Sequence, residues 1–270
     1  MSYRTILLEL RDEPESTART RVAFALARGF GAEVIGIHVA PLPTVPAGFG
    51  VGSAYVNAEM IEALHDANRT VQERVRSAFA AAREPDVPAR ELFLEDLYGA
   101  ALSHAARTAD LTVLGPAQAT GLAAPAEPVD EVLVQAGGPV LVLPPEECHL
   151  PAARALVAWN GSRQAARAMK DALPLLGLAE DVVVLTLGDG AEGSLEAAAA
   201  MLVRHGVKAR AERRPESGPA GEQIQAVAAE LGAGLVVMGA YSHSRLREAV
   251  FGGATREALG VARLPVLFSF

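Results

Sequence analysis

The chain runs through one pattern twice, and that repetition limits the folds open to it more than any other feature. In the first half Arg4-Thr5-Ile6-Leu7-Leu8 leads through a polar turn into an alanine-rich helical stretch from Thr17 to Arg28, then into Glu33-Val34-Ile35-Gly36-Ile37-His38-Val39. In the second, Arg154-Ala155-Leu156-Val157-Ala158 leads through Ser162 to Leu176 into Asp181-Val182-Val183-Val184-Leu185-Thr186-Leu187. Later, Asp110-Leu111-Thr112-Val113-Leu114-Gly115 matches Gly234-Leu235-Val236-Val237-Met238-Gly239. Gly138-Pro139-Val140-Leu141-Val142-Leu143-Pro144 likewise matches Leu264-Pro265-Val266-Leu267-Phe268-Ser269-Phe270. Unbroken Val/Ile/Leu runs between helical stretches are what parallel strands buried on both faces by crossover helices require. The expected fold is α/β: two tandem open α/β sandwich units, each with a mainly parallel sheet of about five strands.

The join between the units falls at Pro144-Pro145-Glu146-Glu147-Cys148-His149-Leu150-Pro151, where prolines and charges interrupt the apolar pattern. This gives units over 1–145 and 152–270, with Cys148 as an inert linker residue. The first unit has extra length, a Pro/Gly-rich stretch from Pro41 to Gly52 ahead of a helix over Ala54 to Glu84, read as a surface flap or an inter-unit contact. The terminal strands Val140–Leu143 and Val266–Phe268 have edges that need covering, so the two halves are expected to pack as an intrachain pseudo-dimer.

With half the residues apolar and 21% charged, and no apolar run long enough for a membrane span, the default is a soluble cytoplasmic protein without a membrane role. The start, Met1 to Leu10, reads as a first strand and not as a signal peptide. A single cysteine excludes an internal disulfide and a cysteine-built zinc site. A net charge of −8 argues against a general nucleic-acid binder, and Arg210-Ala211-Glu212-Arg213-Arg214 reads as a solvated strand end.

The last segment carries the chemistry. A buried strand ends at Gly239, a polar loop holding Tyr241-Ser242-His243-Ser244-Arg245 follows, and Phe251-Gly252-Gly253-Ala254-Thr255-Arg256 opens an apolar helix. Backbone N–H groups and the helix dipole at such a glycine pair can hold a phosphate. The bland alternative is that Gly252-Gly253 only terminates a turn.

Strand–Gly–x2–Gly–x9–Gly–Ser/Thr–helix, with Asp just after the first strand and a His-Val pair ending the second, resembles the universal stress proteins over essentially the whole chain. The resemblance implies an adenine-nucleotide alpha-hydrolase-like fold that binds ATP or ADP, with or without Mg2+. It implies contacts at Asn160, where the family has Asp; at the strand-end backbone of Leu187; and at Gly239, Ser242, Gly252, Gly253, Ala254 and Thr255. Arg245 is placed to counter phosphate charge. The sequence departs from the family at Ser242, which replaces a glycine, at Gly253, which replaces Ser/Thr, and at Asn160, whose amide holds a hydroxyl less strongly than a carboxylate does. Trp159 fits core packing or a wall against an adenine ring.

In the first unit the cradle is lost. Glu127 and Pro128 stand opposite Gly253 and Ala254, which places a negative charge and removes an N–H at the helix start. Leu10 is read as standing where the polar residue of the first strand belongs.

Other chemistry is absent from the pattern. His243 between two serines lacks an orienting acid, Gly48-Phe49-Gly50-Val51-Gly52 lacks the third glycine of a dinucleotide fingerprint, and the six histidines show no metal-ligand spacing. Asp96 is expected as a helix N-cap. The leading reading is a stress-response protein that binds adenine nucleotide in its second unit and signals through an unidentified protein partner, as an intrachain pseudo-dimer or a homodimer of such chains. The alternative is a nucleotide-independent interaction protein with both sites decayed, and a third reading is a slow ATP hydrolase, for which no catalytic residue is evident.

Overall fold

The repeated apolar runs become neighbouring strands of one sheet. A computed structural model of the protein describes residues 2–42, 54–116, 128–189, 193–240 and 263–270. The elements in chain order are β1 (Thr5–Glu9), α1 (Glu15–Phe30), β2 (Glu33–Pro41), α2 (Ala54–Ala82), β3 (Ala89–Asp96), α3 (Tyr98–Ala106), β4 (Leu111–Leu114), α4 (Pro128–Gln135) and β5 (Val140–Val142). The second half continues with β6 (Arg154–Ala158), α5 (Arg163–Asp171), α6 (Leu173–Leu176), β7 (Asp181–Leu187), α7 (Ser194–Arg204), β8 (Ala209–Arg214), α8 (Ala220–Glu230), β9 (Leu235–Gly239) and β10 (Val266–Ser269). The stretch expected as one helix to Leu176 breaks between α5 and α6, because Pro174 cannot continue the hydrogen-bond ladder and sits instead in the first turn of α6.

The strand order is β3-β2-β1-β4-β5-β10-β9-β6-β7-β8. Each half therefore orders its strands 3-2-1-4-5, and every pairing is parallel except that of β5 with β10. Cores lie on both faces. One takes α1, α2, α5, α6 and α7 through residues such as Phe24, Phe79, Met169, Leu176 and Leu202. The other takes α3, α4 and α8 through Leu102, Val132 and Ala228. Both cores run across the junction of the halves, since Leu141 and Leu267 lie in the first and Val142 and Phe268 in the second.

At that junction Leu267 faces Leu141, Phe268 faces Val140 and Val266 faces Val142. Pro139 matches Pro265 in the repeat, so Leu141 and Leu267 are equivalent residues paired with each other, and the flanking pairs exchange under a half-turn. This is the register of an isologous two-fold interface, formed inside one chain. Side chains add to it: the Tyr3 hydroxyl donates to the Asp171 carbonyl at 2.7 Å, and Arg167 Nη2 donates to the Gly137 carbonyl at 3.1 Å. Burial holds the Tyr3 phenol well above its ordinary pKa, so it stays a donor.

The outer strands β3 and β8 carry the charge. Glu212 on β8 bonds both Arg210 and Arg214, and Arg214 reaches Glu230 at 3.0 Å. On β3, Arg90 meets Glu33 at 3.0 Å and Glu91 meets Arg76 at 3.3 Å. Charged edges of this kind resist pairing with further strands.

Separating the halves should expose the β10 edge. Residues 152–270 expressed alone should self-associate or aggregate in sedimentation velocity, and a monodisperse soluble monomer would contradict the role given to the seam.

Cys148 is half-buried, and burial together with Glu147 pushes its thiol up to about 11. At pH 8 it holds on the order of 100-fold less thiolate than a free cysteine. Its alkylation should be correspondingly slow and should accelerate as pH rises toward 11; rapid labelling at pH 7 would be inconsistent with this setting.

Candidate functional site

In each half the first strand lies between the second and the fourth, and the chain leaves these strands in opposite directions. The crevice at their carboxyl ends is where open α/β sheets receive ligands. In the second half Gly239 and Leu187 end β9 and β7, and Asn160 follows the end of β6. Ser242, Arg245, Gly252, Gly253, Ala254 and Thr255 lie outside the described residues, as do Glu127, His243 and the Gly48–Gly52 stretch.

Gly239 is fixed by packing. A Cβ there would stand 2.5 Å from Ala165 N and 2.6 Å from the Gln164 carbonyl carbon, so β9 closes directly on the first turn of α5. That turn is capped by Ser162, whose hydroxyl accepts from Ala165 N at 3.1 Å. The Asn160 carboxamide oxygen accepts from Ser162 N at 3.1 Å and so helps shape the turn. Trp159 is a packing residue: its indole N–H donates to Ser194 Oγ at 3.0 Å and its body lies against the core that holds α5 and α7. Leu187 ends β7 against the opposite core, and beyond it the ends of β7 and β8 border an open cleft of about 560 Å³ lined by Gly188, Asp189 and Arg213 to Glu216.

Strand register changes the correspondence between the halves. Ile6 pairs with Val34 and Leu111, as Ala155 pairs with Val182 and Leu235. Leu10 N donates to the Ile37 carbonyl at 2.8 Å, as Trp159 N donates to Leu185 at 2.7 Å. Leu10 therefore corresponds to Trp159, and the residue at the position of Asn160 is Arg11, not Leu10 as the sequence alignment placed it. The buried helix positions agree, because Ser16, Arg19, Thr20 and Ala23 fall on Ala165, Ala168, Met169 and Ala172.

This register exposes a group of charges that the sequence reading passed over. Glu9 is 1% exposed and Arg19 3%. The Glu9 carboxylate accepts from Gly115 N at 2.8 Å through Oε2 and pairs with Arg11 Nη2 at 2.7 Å through Oε1. Arg19 donates through Nε to the Glu9 carbonyl at 3.2 Å and through Nη2 to Glu13 at 2.8 Å. Arg11 also donates to the Pro116 carbonyl and to the Tyr98 hydroxyl, each at 3.0 Å. In the first half these charged side chains link the end of β1 to the end of β4 and the start of α1, and Arg11 and Glu13 also border a cavity of about 300 Å³ between α1 and α2. In the second half the same four positions are Ala158, Asn160, Ser162 and Ala168. The available signal was a glutamate directly after Ile6-Leu7-Leu8 in a strand otherwise buried throughout.

Two smaller readings are settled. Asp96 does not cap α3; Leu97 holds that position, and the Asp96 carboxylate accepts from Leu97 N at 2.7 Å. His38 is packed, with Nδ1 2.9 Å from the Leu10 carbonyl. No group of three or more His, Cys, Asp or Glu arranged for a metal occurs among the described residues, and none of their helices is long and apolar enough to cross a membrane.

A 3-2-1-4-5 sheet with helices on both faces and a glycine packed against a capped helix start is an open α/β sandwich. Residues 179–269, within the second half of the chain, match the model of the Universal stress protein family. Over its whole length the fold is similar to that of a universal stress protein from Archaeoglobus fulgidus, with a TM-score of 0.73 at 15% identity, covering 98% of this chain and 95% of that one. It is also similar to a putative universal stress protein from Pseudomonas aeruginosa, with a TM-score of 0.52 at 16% identity, covering 99% of this chain and 93% of that one. At these identities the likeness is one of fold. No curated protein matches the sequence.

Gly239→Ala should lower unfolding free energy by about 1–3 kcal/mol, since the added methyl meets backbone that cannot swing aside. Gly115→Ala meets a side chain instead, the Arg19 guanidinium held by the Glu9 carbonyl and Glu13. Urea denaturation of the two variants reads the difference; equal, negligible losses would show that β9 is not locked on α5.

Proposed function

We infer that the protein is a universal stress-type protein of two units, 1–145 and 152–270, that binds ATP or ADP in the second unit. The observation that carries this reading is the contrast at the crevice. Ala158, Asn160 and Ser162 put small neutral groups at the strand end and helix start, with Ala168 buried behind them, whereas the first unit has Glu9, Arg11, Glu13 and Arg19 at these positions. The match to the Universal stress protein family also falls on the second half. In this reading Asn160 and the backbone at Leu187 face the ribose and adenine, and Gly239, Ser242, Gly252, Gly253, Ala254 and Thr255 hold the phosphates. Arg245 counters their charge, with Mg2+ as the accompanying ion. Occupancy alters a surface read by a protein partner in the cytoplasm, and no chemical step is assigned to the chain.

The binding-independent reading draws support from Asn160, whose carboxamide oxygen already serves the turn before α5. Titration calorimetry distinguishes the two. The wild type should bind at most one nucleotide per chain. Gly253→Glu should abolish micromolar binding, because a carboxylate in a partly desolvated loop costs about a few kcal/mol against a phosphate. Two nucleotides per chain, or unchanged affinity in the variant, would relocate the site. No binding at millimolar ATP would favour the nucleotide-independent protein.

A further inference from the structure

The first-half crevice has been treated as a lost site, yet its geometry is that of an anion site with the anion in place. We propose that the first unit retains a working carboxylate-binding pocket at its switch point and keeps it filled with the side chain of Glu9.

Three features identify the pocket. A backbone N–H at the end of β4, that of Gly115, donates to Glu9 Oε2 at 2.8 Å. A guanidinium whose own place is fixed by the Pro116 carbonyl and the Tyr98 hydroxyl meets the other oxygen, Arg11 Nη2 to Oε1 at 2.7 Å. A second guanidinium, buried on α1, stands behind, with Arg19 Nη2 3.9 Å from Oε2 while it holds Glu13. One backbone amide donates to this carboxylate and two guanidinium groups stand at ion-pair distance from it, a positive setting of the kind that holds free carboxylates and phosphates. Here the occupant is covalently supplied. The four charges sum to zero, so deleting Glu9 leaves a buried excess of one positive charge, and that uncompensated charge is the driving force for recruiting an anion.

The inference does not depend on what the second unit binds. It predicts chemical rescue. Glu9→Ala, which copies Ala158, removes a CH2–COO− group whose shape and charge are those of acetate. In chloride the variant should melt several degrees below the wild type. Sodium acetate at matched ionic strength should recover at least half of that loss, saturably in the millimolar range, with formate acting similarly and the bulkier benzoate not. The wild type should show no such response. Glu9→Gln serves as the second variant, because its carboxamide keeps the volume filled. It should fold, show no acetate response, and exchange the Gly115 amide hydrogen at least several-fold faster than the wild type.

Four results would overturn the proposal: a Glu9→Ala protein as stable as the wild type, one that acetate recovers no better than chloride does, an acetate response in Glu9→Gln equal to that of Glu9→Ala, or Gly115 exchange unchanged in Glu9→Gln.

Discussion

The antiparallel pairing of β5 with β10 is the contact on which the rest of the architecture rests. Each half is a 3-2-1-4-5 sheet whose fifth strand would otherwise end in an unpaired apolar edge, and Val140, Leu141, Val142, Val266, Leu267 and Phe268 are all at most 1% exposed between the neighbouring strands and the helices on both faces. Burial of these apolar side chains, at about 1.5–3 kcal/mol each, is more than turns and surface ion pairs contribute. The pairing also makes both cores continuous, so the halves form one sheet with helices on both faces.

Within that frame the two crevices show how the same backbone is driven to opposite electrostatic outcomes. In the second half the strand end and helix start carry alanine, asparagine and serine, and the turn is stabilised by local bonds from Asn160 and Ser162. In the first half a quartet of alternating charge, with Glu9 and Arg19 buried and Arg11 and Glu13 partly exposed, links the same strand end and helix start. Buried ion pairs contribute little net stability once desolvation is counted, but removing one member leaves its partner exposed to the full cost. The quartet is therefore resistant to piecemeal change. This separates a filled crevice from an eroded one.

The repeated strands, their parallel order and the pairing of the terminal strands were legible in the sequence because runs such as Val182-Val183-Val184 admit few other structures. The register of the first strands was not. A strand buried on both faces has no alternation to mark its phase, so Arg4 to Leu8 and Arg154 to Ala158 align equally well one residue apart. The hydrogen bonds of Leu10 and Trp159 decide the matter, and only then do Arg11 and Asn160 become counterparts. The charged quartet was illegible for a related reason. Arg19 lies on a helix ten residues from Glu9, and nothing in the linear order indicates that its guanidinium reaches the Glu9 carbonyl.

The self-matching register of Leu141 and Leu267 has a bearing on how such a molecule can vary. When two separate copies meet across a two-fold axis, every substitution is made twice, and a residue useful on one side is imposed on the other. Joining the copies in one chain removes that coupling while leaving the interface intact. Glu9 and Ala158 can then differ, and a carboxylate that closes one crevice does not have to close its twin. The geometry of a symmetric pair is kept, and the chemistry is released from symmetry.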